Sequence, residues 1–223
     1  MRVSIDACFE YADSFRVRAA PTGGNFAQKV LEDCEALLPI RDLIVDWVML
    51  EASSPHGQEF DDALTHTLER LLELRSRPPE LNSWNENWFE AHRLFTYQVF
   101  LYVVAALVRI RKFKTLHELF FSNYLLPRSD APEGRFDSFD AFHGYSELLN
   151  SVLAPEGQRL LSPAGALLKR QASREDLSFE LIMEADLLAL LASTLNTNAR
   201  WFPQTLYYAG YGKVKWPRYC GHG

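Results

Sequence analysis

Three cysteines in 223 residues, Cys8, Cys34 and Cys220, are too few and too scattered for a disulfide framework. Their number is odd, no CxxC pair occurs, and a chain of this length can bury a core without covalent staples. A reducing, cytoplasmic setting is the simplest expectation. Long apolar runs are missing too. VFLYVVAALV, residues 99–108, is the most apolar stretch and is followed at once by RIRKFK. A membrane span takes about 20 apolar residues, so this stretch is expected to be a buried core helix, with no membrane partner. The opening MRVSIDACFEYAD has acids within its first turns and no apolar core of leader length. Positive charge is scarce as well: the formal net charge is −6. That excludes a chain basic throughout but not a local basic patch.

Catalytic and cofactor signatures are equally thin. APTGGN, residues 20–25, is the nearest approach to a phosphate loop. It lacks the strand before and the Lys-Ser/Thr after. No G-x-S-x-G elbow ties a serine to a base. HELFF, residues 117–121, opens like a zincin helix, but Phe121 and Ser122 stand where a second His is needed. Cys220 and His222 make two ligands where a structural zinc takes four. No metal and no cofactor are therefore expected. The adjacent acids Asp61 and Asp62 point apart on a helix. Asp186, inside IMEADLLALLAS, is more interesting, because a carboxylate among leucines needs donors if it is buried.

What the chain does have is helical periodicity. Apolar residues make up 48% of it and aromatics 13%, enough for a packed core. Helices are expected from Ile5, after the loop at 20–24, and through 40–51, with a break or kink at Pro39. Phe60, Leu64, Leu68, Leu71 and Leu72 form one stripe, ended by Pro78 and Pro79. The longest helix should run over about 84–111. A second should resume after KFK, with Thr115 as N-cap and Glu118 three residues on. Further helices are expected at about 139–153, at 163–171 with Ser162-Pro163 as its start, and at 174–195. No repeat period emerges. The expected fold is all-α, an irregular array of about seven to nine helices with helix–turn–helix pairs. It forms a single domain over 1–223, with a candidate sub-boundary at 127–138, which is rich in Pro, Gly and charge.

Two stretches carry candidate chemistry. RKFKTLH spans Arg111 to His117 and resembles the Arg-x4–6-His signature of HEPN ribonucleases, which are all-helical. The resemblance implies metal-independent RNA cleavage, with His117 moving a proton at the ribose 2′-hydroxyl and Arg111 holding phosphate charge. Lys112 departs from the family's pattern. Without the resemblance, Arg111 is a cation at a helix C-terminus and His117 lies on an outer turn. RWFPQTLYYAGYGKVKWPRYCGHG, residues 200–223, interleaves aromatics with Lys213, Lys215, Trp216 and Arg218 and contains no acid. Those four residues are candidates for stacking on bases and touching phosphates. Trp201 to Tyr208 is expected instead to pack across a helical face.

Five stretches, VFLYVVAALVRIRKFKTLHELFFSNYLLP, FDAFHGYSELLN, LSPAGALLKRQ, EADLLALLASTLN and RWFPQTLYYAG, follow one another through the second half. Together they resemble a helical accessory region of bacterial defence proteins of the conflict-system type. The resemblance implies a non-catalytic module that senses a trigger, binds a protein partner or effector domain, or helps to assemble a homo-oligomer. It carries over no catalytic residue. Three readings result: such an interaction or sensor module in anti-phage defence, a HEPN-like ribonuclease using Arg111 and His117, or a nucleic-acid binder acting through its tail.

Overall fold

Asn25 accepts from the Gln28 backbone N–H and so starts a helix where the Gly-rich loop ends. Similar local logic builds the rest of the chain. The computed structural model describes residues 5–21, 24–51, 57–78, 80–126, 135–195 and 200–211. In order come α1 (Ile5–Asp13), α2 (Phe26–Ala36), α3 (Leu38–Glu51), α4 (Gly57–Leu74), α5 (Glu90–Arg109) and α6 (Phe113–Phe121). A small antiparallel pair follows, β1 (Tyr124–Leu126) and β2 (Arg135–Asp137), with Leu125 opposite Phe136. The chain then forms α7 (Asn150–Leu153), α8 (Pro163–Arg170), α9 (Phe179–Thr194) and α10 (Gln204–Tyr211). The fold is all-α, and its two three-residue strands are the only sheet among the described residues.

α5 is the axis. It is buried almost all round, from Glu90 to Leu107, as a helix apolar on every face must be. The segment Glu86–Arg109 is long and apolar enough to cross a membrane, yet its surface is covered by α2, α3, α4, α6 and α9. The main core gathers residues from Cys8 to Trp201, and a smaller one joins α2 to α5, α7 and α8. Within the main core, Phe100 stacks on Phe142 at 4.7 Å and on Phe139 at 5.9 Å. Both rings come from the short 3-10 turn Phe139–Phe142.

Several expected boundaries move, each for a local reason. The break expected at Pro39 is there, one residue before α3: α2 ends at Ala36, and Pro39 lies in the first turn of α3, where its missing N–H costs nothing. Thr115 does not cap α6. The helix begins two residues earlier, and the Thr115 hydroxyl donates to Asp61 Oδ1 at 2.7 Å. Asp61 is buried by that bond and Asp62 is exposed, so the acid pair diverges. The helix expected at about 139–153 breaks because residue 144 passes against α5. A Cβ on Gly144 would stand 2.7 Å from Tyr97 Cβ. Ser162 and Pro163 start α8 as expected, with Ser162 Oγ accepting from the Gly165 N–H. α9 begins only at Phe179, where Ser178 caps it. α10 was not foreseen.

Candidate functional site

α9 carries two polar residues on its buried face, Asp186 and Ser193, two turns apart. Asp186 is 0% exposed and collects four donors. Tyr97 Oη of α5 donates to Oδ1 at 3.0 Å, and Trp201 Nε1 donates to the same oxygen at 2.8 Å. The Thr205 N–H and hydroxyl donate to Oδ2 at 2.9 and 2.7 Å. Burial raises the carboxyl's pKa, and these hydrogen bonds pull it back. Thr205 is the second residue of α10, so Asp186 serves that helix as an N-terminal acceptor supplied from another helix. Ser193 Oγ donates to Asp140 Oδ1 at 2.6 Å and accepts from the N–H groups of Arg200 and Trp201 at 3.2 and 3.3 Å. α9 therefore pins the segment at 200–205 at both ends. The expected packing of this segment holds for Trp201, which is buried, while Phe202 and Tyr207 face outward.

Above this hub lies a cleft of about 710 Å³, lined by His143, Tyr145, Leu161, Arg200, Phe202, Gln204 and Tyr207. His143 stands between Trp201 at 5.4 Å and Phe202 at 6.1 Å. Its Nε2 lies 2.9 Å from the Phe202 carbonyl, which makes that nitrogen the donor. Burial holds the imidazole below its usual pKa, against the opposing pull of the Phe202 carbonyl. Gln204 accepts from Ser162 Oγ at 2.8 Å, which locks α10 to the start of α8. The two helices touch so closely that a Cβ on Gly165 would lie 2.3 Å from the Gln204 carbonyl oxygen. Arg200 is ion-paired with Asp137.

The polar groups beneath and within the cleft are taken up by the fold itself. Asp186 is sealed from solvent, His143 Nε2 is committed to a carbonyl, and Gln204 is committed to Ser162 and Phe202. Around them Tyr145, Leu161, Phe202 and Tyr207 stand 46–57% exposed, a concentration of apolar surface that marks contact sites on folded proteins. Among the described residues no group of three His, Cys, Asp or Glu side chains could hold a metal ion.

Arg111 and His117 lie at the joint between α5 and α6, both exposed. Arg111 follows α5 with φ 59°, and its N–H bonds the Val108 carbonyl while that of Lys112 bonds Leu107. This is a Schellman closure with an arginine where glycine is usual. His117 is in the middle of α6, with its ring 4.7 Å from that of Phe121 and its Nδ1 4.0 Å from Glu118. Among the described residues no hydrogen bond joins Arg111 to His117. Lys213, Lys215, Trp216 and Arg218 lie outside the described residues. Sequence reasoning singled out Asp186 by its apolar surroundings but could not supply its partners. It missed His143 and Gln204, whose polarity in an aromatic context was the available signal. No family model, no curated protein and no solved structure matches the chain.

Proposed function

We propose that this chain is a non-catalytic helical interaction module of a bacterial anti-phage defence system, and that its cleft receives a segment of a protein partner. The observation that carries this reading is the ring of half-exposed Tyr145, Leu161, Phe202 and Tyr207 on a scaffold fixed by Asp186, Ser193 and Gln204. Large apolar anchors in a rigid hollow are what protein contacts concentrate on, and the cleft volume is in the range of binding pockets. The partner segment should carry an aromatic or leucine anchor, because the charged residue at the rim, Arg200, is already paired with Asp137. The defence setting rests on the sequence resemblance of the second half alone.

The test is co-purification of the full chain with the protein encoded by the adjacent gene. The wild-type chain should retain it, and a Phe202→Ser/Tyr207→Ser variant with an unchanged melting curve should lose it by about tenfold or more. Equal retention by the variant would overturn the docking site. A second reading keeps one supporting observation, that Arg111, just past α5, and His117, in α6, are both exposed. RNA cleavage by the purified chain, abolished in His117→Ala with folding intact, would replace the non-catalytic reading with a ribonuclease.

A further inference from the structure

The strongest unexplained feature is the joint of α5 and α6. Arg109, Arg111, Lys112 and Lys114 occupy four of six consecutive positions there, and among the described residues none forms an ion pair or side-chain hydrogen bond. Every other cation with a described side chain is engaged. Arg18, Arg93 and Arg170 reach carboxylates, Arg75 bonds a carbonyl, and Lys169 lies over the Phe179 ring. Even Arg41, fully buried, is held by Asp42 and the Tyr102 ring. Asp176 feels the charge of Arg109 but is already bonded to Arg174 at 2.7 Å.

A helix C-terminus favours a cation by about 0.3–1 kcal/mol, which accounts for one or two of the four. It does not account for Lys114, which stands in the first turn of α6, the wrong end for a positive charge.

Rings accompany the cations. Phe113 is 60% exposed between Lys112 and Lys114. His117 and Phe121 follow at four-residue intervals, both exposed, so three rings line one face of α6 at a rise of about 6 Å per step. The acid on this face is Glu118, beside His117.

We infer that the α5–α6 joint binds single-stranded nucleic acid, with Arg109, Arg111, Lys112 and Lys114 on consecutive phosphates and Phe113, His117 and Phe121 beneath the bases. Rings in a line offer π-faces to unpaired bases of any sequence, and a duplex would keep those faces hidden. A lipid surface would want a broad apolar face, whereas here each side of Phe113 is a lysine. The site requires no cleavage by His117 and does not rest on the cleft reading. RNA and DNA single strands share this chemistry, and separate measurements distinguish them.

The experiment measures fluorescence anisotropy of labelled RNA and DNA strands of about 15 nucleotides. A duplex and anionic vesicles serve as the other arms, all with the full chain. Binding of either strand is expected, with a log–log salt slope of about −2.8, or about 50-fold weakening between about 50 and 200 mM salt. In Arg109→Gln/Lys112→Gln/Lys114→Gln the slope should fall to about −0.7. Phe113→Ser should weaken binding about tenfold at an unchanged slope. Should the triple variant melt lower, Lys114→Gln alone must still reduce the slope by about 0.7. Wild-type affinity and slope in the variants would overturn the site, as would vesicle binding without oligonucleotide binding.

Discussion

The cleft and the joint are both made of aromatic rings and charged groups, yet they solve opposite problems. Around Asp186, which is fully buried, all four donors share its two carboxylate oxygens. At the joint, rings stand on the surface beside cations that no described carboxylate neutralises. The difference follows from solvation. A buried charge without partners costs several kcal/mol, so the hub has to be complete for the fold to exist. An exposed charge loses almost nothing by lacking a partner, since a surface ion pair contributes about 0–1 kcal/mol. The hub's composition is therefore fixed by stability, while the joint's is free to be set by what it meets.

The largest effect should come from breaking the hub. Asp186→Ala leaves the Tyr97 hydroxyl, the Trp201 indole N–H and two Thr205 donors without acceptors, and should cost about 3–5 kcal/mol in urea unfolding. Asp186→Asn keeps one oxygen but turns an N–H₂ toward donors, and should fall between. A loss below about 1 kcal/mol would mean that the rings alone hold α10 in place.

Asp186 also shows how far the sequence could be read. A carboxylate in a leucine-rich helix announces that it needs donors, but the donors come from Tyr97 on α5 and from Trp201 and Thr205, and no local pattern links them. The helices themselves were legible where a 3.6-residue stripe was clean, as with Phe60 to Leu72, or where Ser162-Pro163 marked a start. They were not legible where tertiary contact overrode propensity. NYLL reads as the end of a helix, yet Tyr124 to Leu126 pairs with β2. Residues 139–153 read as one helix, yet Phe139 and Phe142 turn into the core and Gly144 passes against Tyr97. Of the candidate site residues, Arg111 lies just past α5 and His117 in the middle of α6. That no described carboxylate pairs with Arg111 is a property of three-dimensional neighbours and could not be seen.

A smaller effect should come from wedging the cleft open. In Gly165→Ala the new Cβ meets the Gln204 carbonyl at 2.3 Å and Tyr208 Cβ at 2.7 Å, contacts that real structures do not tolerate. α8 and α10 must separate, at a cost of about 1–3 kcal/mol by thermal unfolding. Gln204 and Tyr207 line the cleft, so partner retention should drop with stability. A stable Gly165→Ala that still retains its partner would show that the cleft tolerates movement of α10, contrary to the rigid scaffold argued above.

The smallest effect separates the two regions by sign. Arg111 sits at φ 59°, where a side chain costs about 1 kcal/mol relative to glycine. Arg111→Gly removes that strain but gives the unfolded chain more freedom, so the net gain should be about 0.5 kcal/mol in the unfolding midpoint. The same change removes one phosphate contact, and the oligonucleotide salt slope should shrink by about 0.7. Greater stability with weaker binding is the pattern of a residue kept for what it touches rather than for what it holds together. If Arg111→Gly instead destabilises the chain, the arginine is part of the fold, and the joint has one cation fewer to offer a ligand.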